Sequence, residues 1–80
     1  MTYLDSHRVK PDPKLLEAER LAIRQGQRDQ FGVKPLNTYW SEDVPRSFCL
    51  TDAPTAEAVR KTHEAMGIAC DEIVAVKALV

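Results

Sequence analysis

Cysteine is scarce in this chain: Cys49 and Cys70 are the two in 80 residues. A short secreted domain held by disulfides usually carries about four or more, so two point instead to reduced thiols in a cytoplasm. No charge of one sign dominates. Eleven Lys and Arg against twelve Asp and Glu leave a formal net charge of −1, which gives no large field to steer the chain towards nucleic acid or anionic lipid. No apolar run approaches the ~20 residues of a membrane span. The start, Met1-Thr2-Tyr3-Leu4-Asp5-Ser6-His7-Arg8, lacks the basic region and apolar stretch of a signal peptide. A soluble cytoplasmic protein is expected, with neither nucleic acid nor membrane as a partner.

What is present suffices for one domain over residues 1–80: 44% of the residues are hydrophobic, enough for a modest core. At this length a chain buries a small fraction of its surface on folding, so association is an expected way to gain burial.

The first strand is expected over about Thr2 to Val9, stopped by Lys10-Pro11-Asp12-Pro13, since proline cannot continue a central ladder. Asp12 before Pro13 signals helix entry: the carboxylate accepts from the free N–H groups of the first turn, and proline at the first position gives up a donor that had no partner. From Pro13 to about Gln30, Leu15, Leu16, Ala18, Ala22, Ile23 and Gly26 fall within one arc of roughly 160° on a helical wheel, and Gly32 is expected to end the helix. Arg20, Arg24 and Arg28 line the other side, either as an anion-binding ridge or as a solvated face.

Val33 to Ser41 reads as a second strand, Glu42-Asp43-Val44-Pro45 as a turn, and Arg46 to Thr51 as a third strand antiparallel to it. Thr55 caps a second helix whose inner stripe is expected to be Ala56, Val59, His63 and Met66, with Gly67 closing it. Ile73-Val74-Ala75-Val76 is the last strand, short and β-branched. The order βαββαβ, with right-handed crossovers, predicts an α+β, ferredoxin-like fold: a four-stranded antiparallel sheet, first and third strands central, with both helices on one face. The other face stays open, and a second copy packing sheet against sheet is the expected cover, giving a dimeric α/β barrel.

Strand side chains alternate. If Phe48 and Leu50 lie under the helices, then Cys49 faces the open side, with Leu4 and Ser6 beneath the helices and Asp5 and His7 beside Cys49. Leu36, Thr38 and Trp40 would point inward, and Asn37 and Tyr39 would join Cys49. The open face would then collect an imidazole, a thiol and a carboxylate, ligand types suited to nickel, zinc or another late transition metal. The plain alternative makes Cys49 a small buried hydrophobe and leaves Asp5 and His7 hydrogen-bonded to one another in a dimer cavity. His63 reads as a core histidine that can still reach the cavity. Glu72 would either add a carboxylate there or stand exposed at the entry to the last strand.

Tyr39-Trp40-Ser41-Glu42-Asp43, together with Phe48-Cys49-Leu50, Asp52-Ala53-Pro54, Glu57-Ala58 and Asp71-Glu72-Ile73, resembles a family of small bacterial ferredoxin-like proteins, a domain of unknown function with some nickel-binding members. Asp5-Ser6-His7 resembles its first-strand Asp-x-His element, and Gly32-Val33-Lys34 its entry to the second strand. The resemblance implies a dimer of βαββαβ units closing a barrel, with strand residues as metal ligands. Carried over, those are His7 and Cys49, then Asp5 and Tyr39. The chain departs from the pattern at Leu21, where relatives carry a histidine on the first helix, and at Thr62-His63-Glu64-Ala65-Met66-Gly67, which keeps one histidine of a pair.

The leading functional expectation is a non-enzymatic homodimer holding a transition-metal ion, nickel, zinc or similar, or a small ligand, with His7, Cys49 and Asp5 as donors and Tyr39, Asn37, His63 and Glu72 around the cavity. The alternative is a barrel enzyme of oxygenase or isomerase type on a small organic substrate, with His7 and Asp5 as base and orienting group and Tyr39 as hydrogen-bond donor to an oxyanion. A copper chaperone would need Cys-x-x-Cys after the first strand, where Arg8-Val9-Lys10-Pro11 stands. An RNA-recognition module would need exposed aromatics on both central strands.

Overall fold

The computed structural model describes all 80 residues. The element order is β1 (Thr2–His7), α1 (Pro13–Gln25), β2 (Lys34–Trp40), β3 (Ser47–Asp52), α2 (Ala56–Ala65) and β4 (Glu72–Val76). The strands form one sheet in the order β2-β3-β1-β4, antiparallel throughout. This is the ferredoxin-like βαββαβ topology, with β1 and β3 central.

Local chemistry sets the helix starts. The Asp12 side chain accepts from the Lys14 N–H at 2.8 Å, and Thr55 Oγ1 accepts from the Ala58 N–H at 3.1 Å, each satisfying a donor that the first turn leaves free. The end of α1 differs from the expectation. Gly26 takes φ 63°, its N–H reaches the Ala22 carbonyl, and α1 stops at Gln25. Asp29 then organises the connection: its carboxylate accepts from the N–H groups of Phe31 and Val33, and Gly32, at φ 82°, donates to the Asp29 carbonyl. A local Asx-type turn outcompetes helix continuation here.

The two helices contribute unequally. Val59 and Ala58 of α2 pack with Tyr3, Val33 and Ala53 as the core cluster, and Phe31 and Ile73 lie against it. Of the expected inner stripe, Val59 and His63 are buried, whereas Ala56 and Met66 are exposed and Ala58 takes the inner position. In α1 no residue is buried. It leans on β2, while α2 leans on β4, so the helices sit over opposite edges of the sheet.

Strand parity reverses the expectation for β1 and β3. Tyr3, Asp5 and His7 of β1, and Ser47, Cys49 and Thr51 of β3, are buried on one face, and Asp5 meets His63 of α2, so this set lies beneath the helices; Ser6, also buried, pairs with Phe48 on the other face. Leu4, Phe48 and Leu50 therefore face the open side, the opposite of the assignment that put apolar residues under the helical layer. Asp5 and His7 can be buried because they bond to one another and His7 also bonds to backbone, whereas Asp5 Oδ2 and Thr51 Oγ1 stay unpaired. In β2 Thr38 does face the helices, where its hydroxyl donates to Glu19 of α1 at 2.5 Å.

Candidate metal centre

Directly opposed residues of an antiparallel pair share a face. Asp5 pairs with Cys49 and Thr38 with Cys49, so the register stacks these three side chains across the middle of the sheet beneath the helices. His7 follows two residues after Asp5 on the same face. From above, His63 enters on the inner side of α2, four residues after Val59. Asp5, His7, Cys49 and His63 are 1%, 3%, 8% and 3% exposed, and each offers one donor atom within 4.8 Å of all the others.

Backbone carbonyls hold both imidazoles in one orientation. His7 Nδ1–H donates to the Ala69 carbonyl at 2.9 Å, and His63 Nδ1–H donates to the Val59 carbonyl at 2.8 Å. A carbonyl can only accept, so Nδ1 carries the proton in each ring and Nε2 is turned inward. His7 Nε2 lies 2.5 Å from Asp5 Oδ1, and His63 Nε2 lies 3.4 Å from the same oxygen. The rings stand 4.8 Å apart at their centroids. Asp5 Oδ2 is buried without a partner.

Burial alone would lower the His7 pKa, but hydrogen bonds to Asp5 and Ala69 and the nearby charges of Asp5 and Glu19 outweigh it and raise it. At 2.5 Å the lone pairs of His7 Nε2 and Asp5 Oδ1 would repel one another, so this contact holds a proton. The Cys49 thiol is pushed far up, by burial first and then by the charges of Asp5 and Glu19. Half-buried Cys70 is pushed up to about 11, mainly by burial. Neither cysteine is a ready nucleophile at neutral pH, because the thiolate is the reactive form. A cation at the centre would reverse that logic by stabilising the thiolate directly.

The donor set fits a metal ion. Two nitrogens, a sulfur and a carboxylate oxygen are a borderline-soft combination suited to zinc, cobalt, nickel or copper. Bond lengths of about 2.0–2.3 Å in a tetrahedron place donors roughly 3.3–3.8 Å apart. The cluster would reach that by opening the 2.5 Å His7–Asp5 contact and drawing in the wider pairs, which lie within 4.8 Å. The orphaned Asp5 Oδ2 and the two anchored Nδ1 atoms match what a metal and its supporting hydrogen bonds would use. A cavity of about 160 Å³ lined by His7, Cys49, His63, Glu19, Leu15 and Pro11, among others, lies against the centre.

The residues singled out from sequence divide clearly. His7, Cys49 and Asp5 come together and His63 joins them, on the helix side of the sheet rather than the open side. Tyr39 pairs with Phe48 and Glu72 with Ser6, which puts both on the open face. Asn37 is exposed, and its amide donates to the Tyr39 hydroxyl. Asn37 and Tyr39 lie on the open face as expected; it is Cys49, with Asp5 and His7, that takes the other side, opposite Thr38. Glu19 was missed. Its signal was a carboxylate inside the apolar arc of α1, four residues after Leu15 and three before Ala22.

No helix is long and apolar enough to cross a membrane. Among curated proteins there is no match. Among solved structures, SCO4226 from Streptomyces coelicolor A3(2) is similar over 100% of both chains, with 26% sequence identity and a TM-score of 0.75. The family model described as nickel responsive protein SCO4226-like matches residues 3–76. By that match over nearly its whole length, the chain belongs to the SCO4226-like family of nickel responsive proteins.

Proposed function

We propose that this protein binds nickel or a similar divalent transition-metal ion through Asp5, His7, Cys49 and His63, and acts by sequestering or sensing it. The convergence of two Nε2 atoms, a thiol and a carboxylate, with both Nδ1 atoms tied to backbone carbonyls, carries the reading. Membership of a nickel responsive family agrees with it. When bound, the ion would neutralise the buried carboxylate and thiolate, and Glu19 adds a further negative charge near the centre. Uptake displaces the protons of Cys49 and of the His7–Asp5 pair, so it releases acid and weakens as pH falls.

The protein is further proposed to act as a homodimer through the open sheet face. Cross-strand neighbours there form apolar runs, Val74–Leu4–Leu50 and Tyr39–Phe48, and Tyr39 and Val74 are 49% and 41% exposed. A second copy is the symmetric way to cover such a surface. The enzyme alternative loses its proposed constellation: Tyr39 lies on the other face of the sheet from His7, so it cannot serve an oxyanion formed beside that ring.

The test is calorimetric titration of tag-free, chelator-stripped protein with Ni²⁺, Co²⁺, Zn²⁺ and Cu²⁺. The expected result is one ion per chain, with sulfur-to-metal charge-transfer absorption for Co²⁺ or Ni²⁺. Absence of uptake for all four ions would overturn the reading.

A further inference from the structure

A second, larger cavity lies beside the centre. Because α1 and α2 lean on opposite edges of the sheet, a space remains between them above β3. The space is about 420 Å³, within the roughly 300–1,000 Å³ of small-molecule sites. Leu15, Ala18 and Ala22 of α1 form one wall, Met66 and Ile68 the other, and Val33 lies at one end. Asp5 and His7 do not line it, whereas Cys49 and His63 stand at the partition between the two sites.

Apart from the exposed Gln27, most of its polar groups are engaged. Arg28 reaches the Asp52 carboxylate at 3.0 Å and the Gly32 carbonyl at 2.9 Å, Glu19 takes the Thr38 hydroxyl, and Thr62 donates to Asp29. Thr51 differs. It is 4% exposed, sits on the helix-facing side of β3 and lines the cavity, yet its Oγ1 has no partner. A buried hydroxyl left unpaired is unfavourable, and a guest towards which Thr51 turns its hydroxyl by rotation about χ1 removes that penalty. No unpaired cation lines the space to receive an acid. We propose that this cavity binds a small neutral organic molecule, apolar over most of its surface, with one hydroxyl or carbonyl that pairs with Thr51 Oγ1. The assignment stands apart from the metal reading, since it needs no ion.

The test uses chelator-treated protein, so metal binding does not enter. N-phenyl-1-naphthylamine, a neutral apolar fluorophore with one N–H, should bind saturably at one per chain with blue-shifted emission, and 4-tert-butylphenol should displace it. A22W fills the space from α1 and should weaken dye binding at least tenfold with the circular dichroism spectrum retained. M66W repeats the test from the other wall. T51V keeps the shape and removes the hydroxyl: displacement by 4-tert-butylphenol should weaken about tenfold, while tert-butylbenzene is unaffected. Absence of saturable binding would overturn the proposal, as would binding indifferent to both tryptophans or equal behaviour of the two competitors in T51V. Amide-shift changes on dye addition should centre on Leu15, Ala22, Thr51 and Ile68. Changes centred on Leu4, Phe48 and Val74 instead would assign the dye to the open sheet face and reject the cavity.

Discussion

The two faces of the sheet invert the usual distribution of side chains. Beneath the helices lie Asp5, His7, Ser47, Cys49 and Thr51, while Leu4, Phe48, Leu50 and Val74 face outward. Burial of polar groups is tolerable only where they find partners, and apolar groups face outward without penalty only where something covers them. The inner face meets the first condition at its two imidazoles, through the His7–Asp5, His7–Ala69 and His63–Val59 bonds, and leaves Asp5 Oδ2 and Thr51 Oγ1 unpaired. The outer face gives the dimer proposal its physical basis. A small core that holds so many polar groups has little apolar burial, and the proposed association through the outer face would supply more.

The comparison can be broken most severely at Asp5. Its carboxylate is fully buried and holds His7, so Asp5→Ala leaves a buried imidazole without its partner. The expected loss is about 3–5 kcal/mol of unfolding free energy, read as a shift in the urea midpoint. A loss below about 1 kcal/mol would mean that the network is not structural.

Cys49→Ser changes the inner face more gently. The fold should survive with its melting temperature little changed, but Ni²⁺ or Co²⁺ affinity should fall by about a hundredfold or more, since even supporting groups around metal sites are worth roughly 10–100-fold. The charge-transfer band should vanish. Persistence of that band would exclude Cys49 as a donor.

On the outer face, Leu50→Arg places a charge in the middle of the apolar run. Sedimentation equilibrium should show the dimer weakened by at least tenfold, about 1.4 kcal/mol, with the monomer still folded and metal uptake retained. An unchanged association constant would remove the open face as the interface.

The smallest expected effect is one of pH. In metal-free protein the His7 pKa is raised, so the folded state binds the proton more tightly than the unfolded chain does. The resulting stability is fully present below about pH 6.5, the ordinary value, and is lost as pH rises through the raised folded-state value. Metal affinity should move the opposite way over the same range. Chemical denaturation between about pH 6 and 8 checks both, and apo-protein stability rising with pH would contradict the His7 assignment.

Much of this molecule was legible in the chain. Asp12-Pro13, Thr55 and Gly67 act within a few residues of themselves, so caps and turns could be read from local sequence. Their order gave βαββαβ and hence the sheet order. The helix stop at Gly26 was misjudged because Gly26 and Gly32 are both able to end a helix, and the choice fell to the side chain of Asp29. The candidate donors Asp5, His7 and Cys49 were visible as residue types on neighbouring strands, with His63 at a helical position facing the sheet.

Which face those donors occupy was decided only by tertiary structure. A strand's alternation states that residues 5 and 7 share a side, but not which side, because a one-residue change of parity exchanges every side chain. Apolar content argued for Leu4, Phe48 and Leu50 inside. Packing chose otherwise, because His63 of α2 and the Ala69 carbonyl supply partners to the polar set that no position on β1 or β3 could reveal. The cavity over β3 is likewise invisible in sequence, since it arises from how far apart two helices rest on one sheet.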